Sequence, residues 1–125
     1  MDTSAFGRVL LGEPEAPAIV RELRAFERHL ASRLLRVELH RLGLRHSLSQ
    51  AAEALLEAVG LVPVDEAILA AAESVGPSSV ATLDAIHLVS ALRLAEAELI
   101  DAVLTYDLRL AECARQHGLA VLAPV

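Results

Sequence analysis

Four acidic side chains stand where a carboxylate could do chemistry: Asp2 in Asp-Thr-Ser-Ala, Glu38 in Leu-Leu-Arg-Val-Glu-Leu, Asp84 in Leu-Asp-Ala-Ile-His-Leu and Asp107 in Leu-Thr-Tyr-Asp-Leu-Arg-Leu. They follow one another at separations of 36, 46 and 23 residues. Carboxylate oxygens are the donors that hard divalent cations prefer, and such cations retain several waters, so a few Asp and Glu residues suffice to hold one. Each residue also has a purely local explanation. Asp2 and Asp107 stand where a helix N-cap is expected, and Asp84 falls in a first helical turn, where an anion suits the macrodipole. Glu38 sits in the middle of a helical pattern, where a Glu usually faces solvent. The ordered combination is more informative than any one of the four.

For these carboxylates to meet, the elements between them must bring distant segments together. The sequence predicts a short helix over Thr3–Leu11, closed by Gly12 and Glu13-Pro14. A second begins near Pro17 and carries Ile19, Val20, Leu23, Phe26 and Leu30 at helical spacing. Ser32 is placed to cap a third helix through about Arg45, and Ser47 with Gln50 reads as a capping box for a fourth, ending near Gly60. Leu61–Val64 reads as a β-prone run, and Asp65 as the cap of a helix that stops at Gly76-Pro77. A helix over roughly Leu83–Ala97, a strand over Ala102–Thr105, a helix over Asp107–His117 and a last strand over Leu119–Leu122 complete the chain. Gly118 falls where a C′ glycine is expected. Strands separated by helices imply an α/β fold with a parallel sheet covered on both faces. Function in such sheets collects at the carboxyl ends of strands, which is where Asp2 and Asp107 fall.

Composition narrows the classes. The chain has 125 residues, a length for one domain, and a net charge of −6. All 11 basic residues are Arg. Apolar residues reach 54% and aromatics only 2%, so the chain is too apolar for disorder and lacks the stacking platforms of single-strand readers. Net acidity excludes holding nucleic acid by bulk charge alone. The single Cys excludes a disulfide framework or a Cys-based metal cage, and Cys113 reads as a small core residue. No uncharged apolar run is long enough to span a bilayer, and the N-terminus lacks a signal-peptide pattern, so a cytoplasmic protein is expected.

The four acidic phrases, in this order and at these separations, resemble the PIN-domain family, most closely its VapC-type toxin ribonucleases, and the resemblance covers essentially the whole chain. It implies a three-layer α/β/α fold with a central parallel sheet of four or five short strands. It also implies a metal-dependent endoribonuclease that hydrolyses RNA phosphodiester bonds as the toxin of a toxin–antitoxin pair. By resemblance, Asp2, Glu38, Asp84 and Asp107 hold Mg²⁺ or Mn²⁺ and form the catalytic set, Asp107 through water. Ser4 and Thr105 match hydroxyl positions that orient a carboxylate or water; local turn bonding is the alternative. The implied partners are an RNA of the tRNA or rRNA class, a small cognate antitoxin that inserts a cationic side chain among the carboxylates, and a second copy in a homodimer. No membrane partner is implied.

Other residues carry less. His87 lies three residues after Asp84 on the same helical face, and a structural role is the simpler reading. Arg8, Arg41 and Arg109 lie close in sequence to the acidic segments and either touch phosphate or serve as surface charge. Relatives in the resembled family carry several apolar residues before the first Asp, forming the central strand, whereas only Met1 precedes Asp2. The single domain, residues 1–125, is therefore expected to lack its first strand, and the natural product to be about three to six residues longer at this end. The competing reading is a non-catalytic PIN-like binding module with a vestigial acidic site. A phosphatase with Asp2 as nucleophile fits less well, because Ser4 stands where a second Asp is needed and the chain has no Lys.

Overall fold

Helices dominate, as a chain rich in Leu and Ala requires. The computed structural model describes all 125 residues. In chain order the elements are α1 (Thr3–Leu11), α2 (Ala16–Leu23), β1 (Leu30–Ser32), α3 (Leu34–Arg45), α4 (Ser49–Leu56), β2 (Gly60–Val62), α5 (Glu66–Ala72), α6 (Thr82–Glu96), β3 (Val103–Leu104), α7 (Leu108–Gln116) and β4 (Val121–Leu122). No helix is long and apolar enough to cross a membrane.

The strands are parallel and separated by helices, which makes the fold α/β. They form two separate pairs, β1 with β2 and β3 with β4, in place of the expected single sheet of four or five strands. Between the pairs lies a mostly apolar cavity of about 350 Å³, and Met1 reaches into it, its N-terminal ammonium donating to the Leu30 carbonyl at 3.1 Å. No strand stands between β1 and β3, and this is the physical reason that the sheet divides there.

One apolar cluster joins α1, β1, α3 and α4 through Phe6, Leu10, Ala31, Leu35, Leu39 and Leu56. A second joins α6 to α7 through Leu88, Leu110 and Cys113, so Cys113 is a core residue as its neighbours suggested. A third, around Ala5, Ile19 and Leu104, ties α1 and α2 to β3. The N-terminus is thereby held from both sides. Gly43 lets α3 and α4 approach: a Cβ there would stand 3.2 Å from both Ala52 Cβ and the Leu48 carbonyl oxygen.

Three local expectations are corrected. The second helix ends at Leu23, not Leu30, and Leu30–Ser32 is a strand. Ser32 belongs to that strand, and its Oγ accepts from the Leu34 amide just inside α3. Ser47 forms no capping box; it adopts φ +56°, a left-handed turn conformation, and no side chain caps α4. Asp65 does cap α5, accepting from the Ile68 amide, and Gly118 takes the left-handed conformation after α7, at φ +82°.

Candidate active site

Asp2 is the most enclosed of the four acidic residues, 5% exposed. Its carboxylate does not cap α1. Instead Ser4 Oγ donates to Oδ1 at 2.6 Å and Thr105 Oγ1 donates to Oδ2 at 2.8 Å. Each hydroxyl has one proton, and both protons are committed to Asp2, so the 3.2 Å approach of Ser4 Oγ to Thr105 Oγ1 is a contact between acceptors. The hydroxyls accept in turn from the start of α7: the Tyr106 amide donates to Ser4 Oγ at 2.8 Å and the Asp107 amide to Thr105 Oγ1 at 3.1 Å. The two hydroxyls thus lock Asp2 to the carboxyl end of β3. Asp107 itself caps α7 through Oδ1, which accepts from the Leu110 amide, so the local explanation holds for that oxygen.

Glu38 reaches the same region from α3. Its Oε1 accepts from Thr3 Oγ1 at 2.8 Å and from His87 Nε2 at 2.6 Å, leaving Oε2 without a hydrogen bond. Burial pushes this carboxyl up, but the bonds from His87 and Thr3, with the charge of His87, outweigh it and hold Glu38 below the usual carboxylate range. His87, on α6, is itself buried, with Nδ1 unpartnered. It bonds to Glu38, 49 residues away, and not to its helical neighbour Asp84. Asp84 has no hydrogen-bond or ion-pair partner. Burial raises its carboxyl above the ordinary Asp value, and the charges of Asp107, Asp2 and Glu38 raise it further, against the lowering effect of His87.

The four carboxylates named from sequence therefore share one electrostatic neighbourhood. Ser4 and Thr105 orient a carboxylate there, Thr3 is an addition that spacing did not single out, and His87, noted for its spacing from Asp84, bonds Glu38 instead. Arg8 is engaged elsewhere: its guanidinium lies 4.3 Å from the Tyr106 ring centroid, donates to the Ser4 carbonyl and pairs with Glu13 and Glu15. Arg41 and Arg109 are exposed.

The donor set suits a hard cation. It is carboxylate oxygen throughout, and repulsion from three neighbouring carboxylates on Asp84 is what a bound cation would relieve. In this conformation no three of the side chains close on a common point at ligand distance. Asp84, unpaired, and the free Oε2 of Glu38 are the groups with freedom to close in.

The acidic residues of this α/β chain thus gather near the carboxyl end of β3, the region of a parallel sheet where functional sites collect. The chain belongs to the PIN domain family, which it matches over residues 1–116. It is similar to Ribonuclease VapC47 of Mycobacterium tuberculosis, with 34% identity over 131 aligned positions covering 99% of this chain and 95% of that protein. It is similar also to Ribonuclease VapC46 of the same species, with 36% identity over 126 positions covering 99% and 95%.

Proposed function

We propose that this chain is a metal-dependent ribonuclease that hydrolyses RNA phosphodiester bonds as the toxin of a toxin–antitoxin pair. Full-length similarity to two ribonucleases supports the reaction class. The observation that carries the reading to particular residues is Asp84, a partly buried carboxylate with no hydrogen-bond or ion-pair partner, raised by burial and by the charges of Asp107, Asp2 and Glu38. Mg²⁺ or Mn²⁺ would be held by Asp2, Glu38 and Asp84, with Asp107 acting through water. When bound, such an ion supplies an activated water and neutralises charge on the phosphoryl oxygens.

The protein's own side chains do the positioning. Ser4 and Thr105 hold the Asp2 carboxylate in one orientation, and Thr3 and His87 occupy Oε1 of Glu38 so that Oε2 is the oxygen left for the metal. With Oδ1 of Asp107 bound to the α7 amide, Oδ2 is its free acceptor. An antitoxin that places an Arg or Lys among these carboxylates would satisfy the same charge deficit and block the site. Leu83 and Leu108, exposed at the starts of α6 and α7, flank the acidic residues and supply apolar area for such a partner or for the second subunit of a homodimer.

The test is cleavage of total and transfer RNA with Mg²⁺ or Mn²⁺, for the parent and for Asp2→Asn and Asp84→Asn. Cleavage is expected with metal, abolished by EDTA and reduced about 100-fold or more in both variants. Cleavage that survives EDTA, or that both variants retain, overturns the proposal. RNA binding without cleavage by the metal-loaded parent would establish the non-catalytic module instead.

A further inference from the structure

Arginine is unevenly placed along this chain. Residues 33–45 hold four of its 11 Arg and a single acid, Glu38, although acids outnumber Arg over the whole sequence. This stretch is α3 with the residue that starts it. Arg36 is engaged with Glu53, to which both of its terminal guanidinium nitrogens donate. Arg33, Arg41 and Arg45 are exposed, and none of the three makes an ion pair.

The three free arginines lie on one row. Arg33, Val37, Arg41 and Arg45 repeat every four residues, and successive members of such a row stand about 6 Å apart along a helix. Leu35 and Leu39 take the opposite side, in the core, while Val37 is 52% exposed, so the row is open along its length. Glu38 adjoins it, directly after Val37 and one turn before Arg41. The row thus runs past the carboxylate whose Oε2 is free.

The helix itself gains nothing from this arrangement. Like charges at i and i+4 weaken a helix, which sets Arg41 against Arg45, and a cation at Arg33 opposes the positive end of the macrodipole. No acid stands in the first turn of α3 to offset it. An anion whose charges repeat along the row would relieve both penalties, and guanidinium groups suit phosphate oxygens in particular.

We propose that Arg33, Arg41 and Arg45 form a track for the backbone of an RNA strand, seating phosphates that flank the one presented to the acidic centre. The identity of the anion rests on the ribonuclease reading: the row leads past Glu38, where that chemistry needs a phosphate. Three such contacts do not make a basic field. They set the path and register of a strand that the metal attaches.

The test is binding of a labelled single-stranded RNA, read by fluorescence anisotropy over a series of KCl concentrations, with Ca²⁺ in place of Mg²⁺. It compares the parent with the triple variant Arg33→Gln, Arg41→Gln, Arg45→Gln and with Arg93→Gln, which alters an exposed Arg on α6. The triple variant is expected to bind about 10-fold or more weakly at low salt, with the slope of log affinity against log salt reduced by about 2. Arg93→Gln is expected to match the parent. An unchanged slope in the triple variant, or an equal loss in Arg93→Gln, overturns the proposal. So does intact RNA binding with lost binding of polyglutamate, which would assign the row to an acidic protein segment. Cleavage is not read here, so a chain that binds RNA along the row without cutting it would sink the ribonuclease reading and leave the track standing.

Discussion

Asp84 and Glu38 belong to one acidic centre, yet their carboxyl groups move in opposite directions. For Asp84 the folded pKa lies above the unfolded one, so its ionisation opposes folding at neutral pH, and that opposition fades as pH falls through the raised pKa. Asp84→Asn is therefore expected to raise the Tm of the metal-free protein by about 2–5 °C while weakening Mn²⁺ binding at least about 10-fold, measured by thermal unfolding and calorimetry. For Glu38 the sign reverses: its bonds stabilise the fold above the unfolded pKa, and the contribution is lost as pH falls through the lowered folded pKa. On acidification Asp84 protonates first, so metal affinity is expected to fall in the window between the raised Asp84 value and the lowered Glu38 value, while Glu38 is still ionised. Thr3→Val removes one donor to Glu38; carboxyl ¹³C NMR is expected to show the Glu38 pKa rising, with metal affinity falling about 10-fold. The four carboxylates were legible in the sequence because each sits in a recognisable phrase at a fixed separation. The bonds of Thr3 and His87 to Glu38 were not, because they span 35 and 49 residues and only the fold brings the partners together.

Among the elements, the joint between α1 and α7 carries most of the site. Thr105 Oγ1 donates to Asp2 and accepts from the Asp107 amide, so Thr105→Val leaves a buried carboxylate oxygen and a helix-start amide each short of a partner. A loss of about 2–4 kcal/mol is expected in urea unfolding, with little change for Thr105→Ser. At the α3–α4 contact, Gly43→Ala is expected to cost about 1–3 kcal/mol, because the helices must separate to admit the Cβ. The helices were readable from periodicity, and α1 has the predicted bounds. Strand β1 was not readable. It has only three residues, too few to show a period of two, and Leu30 also continues the helical spacing of Ile19, Leu23 and Phe26. The capping box failed for a different reason: Ser47 is drawn into the tight turn at Gly43, where the Leu48 amide bonds the Gly43 carbonyl and sets where α4 starts. Parallel pairing followed from element order, but the division into two pairs depends on what lies beside β1 and β3, which the order of elements does not specify.

Over the whole molecule, the net charge of −6 includes the four carboxylates of the site, so the remaining surface carries only about −2. The proposed function then requires a local attachment for RNA, because no basic field is there to hold it. Filter binding with cleavage blocked is expected to show negligible affinity without divalent metal and a shallow dependence on monovalent salt with it. The tie between Asp2 and Thr105 also has a meaning in time. These residues stand 103 positions apart, so the acidic centre cannot assemble until nearly all of the chain has been made. During synthesis the N-terminal carboxylate emerges first and waits for its hydroxyl partner. The acidic centre is thereby closed by a contact between segments far apart in the chain, and it forms only when they have met.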